Sequence, residues 1–144
     1  MIYTYTIAGN PRPKKNNMRP ARRKNGSLML IQSQTYIDYA NDAIPQLQQQ
    51  LQQQHHDAID TAVNVQMIYY RSDRRRTDLV NLQNATLDIL VQANILADDN
   101  YNIVASMDGS RVYYDKDNPR TEITISPAIL SAPAEQPQGG VDND

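Results

Sequence analysis

Apolar and polar residues alternate over residues 2–8 (IYTYTIA), and that period of two predicts a strand. Residues 9–24 break the pattern with three prolines and predict an ordered or semi-ordered basic loop. Residues 28–31 (LMLI) fit either a short second strand or the lead-in to a helix. From Ser33, a residue type that caps helices, Tyr36, Ile37, Ala40, Ile44, Leu47 and Leu51 recur at helical spacing. Pro45 should kink this helix or end its first half, because proline removes a backbone donor inside the turn. The glutamine-rich residues 46–54 carry Leu47 and Leu51 four apart and read as a frayed amphipathic helix end.

Strict alternation returns over residues 61–71 (TAVNVQMIYYR) and predicts a strand through Val63, Val65, Met67 and Tyr69. Residues 78 to about 94 switch to helical spacing. Leu79, Leu82, Thr86, Leu87, Ile89 and Leu90 share the apolar arc, and Asp78, Asn81, Asn84, Asp88 and Gln92 fall on the other side. Residues 102–107 and 120–126 predict two further strands, with turn residues between them that extend one or both. Residues 127–144 carry three prolines and two adjacent glycines among few apolar residues, the composition of a disordered tail. The order β-α-β-α-β-β predicts a single α+β domain over residues 1–126, one mixed sheet with two main helices packed on it.

Composition narrows the chemistry. The chain has 144 residues, 40% of them hydrophobic, with nine Tyr and no Phe, Trp or Cys. Absence of cysteine excludes a disulfide framework, a thiolate metal site and a cysteine nucleophile. The start lacks a charged segment and a long apolar run, and nothing reaches transmembrane length, so the expectation is a soluble cytoplasmic protein with no membrane partner. His55 and His56 are adjacent and have no evident third ligand, which argues against a metal role for them.

The net charge of −2 argues against a nucleic-acid partner, but its distribution argues the other way. Arg12, Lys14, Lys15, Arg19, Arg22, Arg23 and Lys24 precede the first acidic residue, and Arg71, Arg74, Arg75 and Arg76 follow Tyr70. Eleven of the fourteen basic residues therefore lie in two short segments. Local clusters, not totals, make an electrostatic footprint for phosphate. The alternative is that they are solvated loops.

The second cluster runs directly into Asp78, and a later turn holds Asp98 and Asp99. Carboxylates repel phosphate unless a cation lies between them. Grouped carboxylates bind a hard divalent cation, which can activate water and stabilise charge on a phosphate. Asp78 also suits a helix N-cap or first turn, and Asp98–Asp99 an ordinary turn. A helix of about 17 residues spans about 25 Å. Asp78 and Asp99 therefore meet only if the next strand folds back along the helix or a second subunit supplies one of them.

Three stretches are similar to the RusA-type Holliday junction endonucleases. Residues 9–20 (GNPRPKKNNMRP) resemble the family's Gly-x-Pro-x-Pro-Lys-Lys-Asn-like opening. Residues 73–90 (DRRRTDLVNLQNATLDIL) resemble its basic segment, its Asp-x-Asp-Asn-Leu-x-Lys motif and a helix ending in Asp-x-Leu. Residues 95–104 (ILADDNYNIV) and NPRTEITI resemble its Asp-Asp turn and closing strand. The resemblance spans roughly residues 1–126. It implies a homodimer that binds branched, four-way DNA and cuts two symmetric strands with Mg²⁺, Mn²⁺ being the substitute ion. Its catalytic aspartates would fall on Asp78 and Asp99, with Asp78, Asp88, Asp98 and Asp99 as the metal set. DNA would be held by Lys14, Lys15, Asn17, Arg19, Arg22, Arg23, Arg74, Arg75 and Arg76. Val80 stands where many members have a second aspartate and Asn84 where they have a lysine. Those two departures leave open a junction-binding protein with weak or no cleavage.

Overall fold

The computed structural model describes residues 1–14 and 18–129. Among these residues nine elements follow one another: β1 (Tyr3–Ala8), β2 (Met18–Arg22), β3 (Leu28–Gln32), α1 (Gln34–Gln54), β4 (Val63–Arg71), α2 (Leu79–Gln92), β5 (Val104–Ser106), β6 (Arg111–Tyr114) and β7 (Arg120–Pro127). The expected mixed sheet with two helices is present, and the order is enlarged by the β2–β3 hairpin and by β6.

Strand β4 organises the sheet. It pairs antiparallel with β7, which pairs antiparallel with β1, while β5 and β6 run parallel to β4 on its other side. Val63, Val65, Met67, Tyr69 and Arg71 alternate onto the buried face, against Tyr5, Ile7, Ile123 and Ile125 of the neighbouring strands. Leu47 of α1 and Leu82, Ile89 and Leu90 of α2 close the core from the helix side. The β4–α2–β5 passage joins two parallel strands, so α2 must run back antiparallel to β4. Residues just after β4 and residues just after α2 therefore lie at opposite ends of β4.

Four expectations are corrected. The basic residues 9–24 were expected to be a loop. Their second part instead forms β2, which pairs with β3 despite Pro20, in a two-stranded sheet of its own where Pro20 faces no inner ladder. Pro45 does not end the first helix, because Tyr36, Ala40, Ala43 and Leu47 on both sides of it are buried along one face. The glutamine run is not a frayed end. Gln46, Gln50 and Gln54 lie one turn apart and bond the backbone of Ala8, Thr6 and Thr4, alternate residues of edge strand β1. The second helix is framed two residues shorter at its far end, where Asn94 adopts φ 63°, a left-handed exit that asparagine tolerates.

No helix among the described residues is long and apolar enough to cross a membrane. The tail expected beyond residue 126 lies almost wholly outside the described residues, which end at 129.

Candidate nucleic-acid interface and active site

The opening segment is folded onto the end of the molecule where β4 finishes. Gly9 N donates to Pro119 O (3.1 Å), and Asn10 Oδ1 accepts from Ser72 N (2.8 Å), just past β4. Pro11 and Pro13 are buried, and Lys14 Nζ reaches Asp88 Oδ2 of α2 at 3.3 Å. Of the first basic segment, Arg12 comes close to Arg71 of the second, whereas Lys14 lies farther along α2.

Beside them the loop after β4 and strand β6 enclose an open cavity of about 500 Å³. It is lined by Arg71, Asp73, Arg74, Arg75, Arg76 and Thr77 on one side and Val112, Tyr113 and Tyr114 on the other. Arg74, Arg75 and Arg76 are exposed. Arg71 is buried, paired with Asp73 at 3.6 Å. Burial pulls its pKa below the usual arginine value; Asp73 opposes this, and the nearby positive charges of Arg12 and Arg75 add to it. Arginine nonetheless stays protonated, so a fixed charge lies under an exposed cationic loop.

Asp78 follows this loop as the residue before α2, with an extended backbone (φ −88°, ψ 127°). Its side chain makes no capping hydrogen bond. Among the described residues Oδ2 accepts only a long bond from Asn81 Nδ2 (3.3 Å), and Asp78 is exposed. Capping therefore does not account for this carboxylate, which is free to meet an ion or substrate at the helix N-terminus. Val80 is 62% exposed and Asn84 is exposed, so both departures from the family motif occur on accessible positions of the same helix.

Asp88 has different surroundings. One of its oxygens, Oδ2, takes bonds from Lys14 Nζ (3.3 Å), Tyr36 Oη (3.4 Å) and Gln92 Nε2 (2.9 Å). Burial first, then the Asp88 charge, pushes the Tyr36 pKa well above the usual tyrosine value, so the hydroxyl remains a neutral donor. This carboxylate ties the opening segment to both helices.

Asp98 and Asp99 are exposed at the other end of β4. Ala97 N bonds to Ile59 O, and Ile59 bridges Leu96 just ahead of β4. Asp98 Oδ1 accepts from Asp99 N (2.7 Å) and Oδ2 from Asn100 Nδ2 (3.1 Å). Those bonds, the backbone one foremost, lower the Asp98 pKa and keep it ionised. Nine strand residues span about 30 Å, so one chain does not bring Asp78 to Asp98 and Asp99. Among the described residues no three His, Asp or Glu side chains are placed to hold one metal ion.

Of the expected DNA contacts, Arg74–Arg76 are exposed after β4, Lys14 is paired to Asp88 of α2, and Arg22 and Arg23 are exposed on the β2–β3 hairpin. Arg22 Nη1 donates to Gly26 O across its turn. Arg19 lies on β2, and Lys15 and Asn17 fall outside the described residues. His56 serves the fold, bonding Tyr5 Oη and stacking on Tyr3 with ring centres 4.0 Å apart.

Sequence reasoning grouped Arg71 with the exposed arginines and passed over Val112, Tyr113 and Tyr114. Alternation along β4 places Arg71 on the core face, a signal that was legible. The RVYY stretch (Arg111–Tyr114) carried a signal only as two consecutive aromatics before a turn, and only the sheet reveals it as an exposed strand beside the arginines. The family model described as endodeoxyribonuclease RusA matches residues 8–126. No curated protein matches the chain.

Proposed function

The chain belongs to the RusA endodeoxyribonuclease family, and from that premise we propose that it is a structure-selective nuclease that hydrolyses phosphodiesters at four-way DNA junctions as a homodimer. The observation that carries this reading is the uncapped, exposed carboxylate of Asp78 next to an arginine-lined cavity. Cations beside an anionic site make sense where a polyanion must be held against a carboxylate.

The family resemblance implies a divalent cation, Mg²⁺ foremost. Asp78 and Asn81 by themselves offer too few oxygens, since such ions take about six ligands with several from water and one or two from carboxylates. The separation of Asp78 from Asp98 and Asp99 favours a site completed between subunits, Asp78 of one facing Asp98 and Asp99 of the partner subunit. A two-fold axis then makes two equivalent sites, matching the two-fold symmetry of a four-way junction. When bound, the cation supplies an activated water and charge stabilisation on the phosphate. The chain's own contribution is to grip the backbone through Lys14 and Arg74–Arg76 and to present Asp78 from the rigid start of α2.

Nicking of a synthetic four-way junction, with and without Mg²⁺, tests the reading, and cleavage should require the ion. Sedimentation should show a dimer at micromolar concentration. The second reading is junction binding with weak or no cleavage. It is favoured by Val80, an exposed apolar residue where many members carry a carboxylate. Tight junction binding without nicking would select it, and binding to neither junction nor duplex at low salt would remove both.

A further inference from the structure

Among the described residues the β2–β3 hairpin pairs with no strand of the main sheet. Residues 22–28 around its tip are exposed without a break. The tip is nonetheless held by its own bonds. Arg23 N donates to Ser27 O (2.7 Å), Gly26 N to Arg23 O (2.9 Å) and Arg22 Nη1 to Gly26 O (2.9 Å). Ser27 N and Oγ both donate to Asn25 Oδ1, at 3.0 and 2.7 Å. Gly26 turns the chain at φ 90°, a conformation glycine adopts without strain. A self-bonded tip that faces solvent on every residue contributes little to the core.

Asp88 fixes where this ribbon leaves the body. Its Oδ2 accepts from Lys14 Nζ, ahead of β2, and from Tyr36 Oη, in the first turn of the helix after β3. Both flanks of the hairpin are therefore tied to one carboxylate in the middle of α2. Asp88 stands about 15 Å along the helix from Asp78, and strands of five residues carry the tip about 16 Å farther out. The tip thus lies on the order of one turn of duplex DNA, about 34 Å, from Asp78.

The tip carries Arg22, Arg23 and Lys24, and no acidic residue precedes Asp38 to oppose them. Leu28, 66% exposed, pairs opposite Arg22 and so shares its face. A two-stranded ribbon fits the major groove, about 12 Å wide, and not the minor groove, about 6 Å wide. The groove walls are phosphates, and its floor offers apolar thymine methyl groups beside the polar base edges.

We propose that the β2–β3 hairpin is a ribbon that enters the major groove of one duplex arm about one helical turn from the branch, with Arg22, Arg23 and Lys24 on the flanking phosphates and Leu28 toward the floor. Duplex DNA as the partner rests on the junction-nuclease reading. The ribbon would then hold the arm while Asp78 meets the strand near the branch, so grip and cutting belong to separate parts of the chain.

The test uses the full chain and a synthetic four-way junction in EDTA, where no cleavage is needed. Replacing phosphates roughly 6–12 base pairs from the branch by neutral methylphosphonates should weaken binding of the native chain. The Arg22→Ala/Arg23→Ala/Lys24→Ala variant should bind more weakly and be indifferent to that replacement. Its slope of log affinity against log salt should be shallower by up to about 2.7. The native chain should protect guanine N7, which lies in the major groove, from methylation on the same arm segment, and the variant should not. All three side chains are exposed, so the variant should keep its melting temperature. Native binding that ignores the arm methylphosphonates overturns the proposal, as does N7 protection that survives in the folded variant. A variant that sediments as a monomer while the native chain is a dimer would make the ribbon a clasp between subunits and overturn its assignment to DNA. Nicking with Mg²⁺ is measured separately on the native chain, so failure of the nuclease reading is distinguishable from failure of the ribbon.

Discussion

Lys14 Nζ lies 3.3 Å from Asp88 Oδ2 across 74 residues of sequence, and this pair fastens the proline-rich opening to the middle of α2. It also occupies the oxygen that Tyr36 and Gln92 share. Asp88 consequently acts as an anchor, and a cation there would have to displace the lysine. Asp88→Asn should cost under about 1 kcal/mol, since the pair is about one-third exposed on each side and screened by water. Its Mg²⁺-dependent nicking should stay within a few-fold of the native rate. Complete loss of nicking in a folded Asp88→Asn protein would return Asp88 to the metal shell.

Asp78→Asn and Asp99→Asn should each abolish Mg²⁺-dependent cleavage, because each removes a full charge while keeping the shape. Junction binding in EDTA should survive or improve. The proposed arrangement between subunits adds a sharper expectation. Mixing the two inactive variants should restore nicking, because one site of each mixed dimer then combines an intact Asp78 with an intact Asp99. If every site were built within one chain, each site in the mixture would carry a defect and no activity would return.

Val80→Asp places the missing carboxylate at an exposed position in the first turn of α2, where the helix dipole favours negative charge. The fold should tolerate it, with a melting temperature within about 2 °C of the native one, as expected for a surface change of roughly ±0.5 kcal/mol. Mg²⁺ should bind more tightly and cleavage should be equal or faster. A large drop in melting temperature, or slower cleavage at saturating Mg²⁺, contradicts this.

Replacing Arg74, Arg75 and Arg76 together by Ala should weaken binding to all junction sequences alike. If each arginine neutralises one phosphate, the slope of log affinity against log salt should become shallower by up to about 2.7. An unchanged slope would identify these residues as solvated charges.

Gln46, Gln50 and Gln54 cover the free backbone edge of β1, a surface that otherwise invites pairing with another chain. Replacing all three by Ala should lower stability by about 1–3 kcal/mol, the sum of several weak exposed bonds. Light scattering should then rise during a thermal melt. A triple variant that melts and stays clear like the native protein would show the glutamines to be incidental.

Local pattern alone determined much of this protein. Alternation at Val63, Val65, Met67 and Tyr69 specified β4 and its buried face, and the spacing of Leu82, Leu87, Ile89 and Leu90 specified α2. Both signals survive because burial acts on every second or every third to fourth residue, whatever the partner. The clustering of arginines ahead of Asp78 was legible for the same reason, being contiguous in the chain. Elements whose partners are remote were decided only by the tertiary structure. The Gln46–Gln54 segment resembles low complexity until β1 lies beside it, and Tyr113 and Tyr114 have no meaning until β6 pairs in register with Tyr70 and Arg71. Asp78 and Asp99 look like one site in a motif, yet the reversal of α2 along β4 sends them to opposite ends of a strand about 30 Å long. Sequence spacing fixes distance along a chain, whereas the crossover between parallel strands fixes direction, and direction separated these carboxylates.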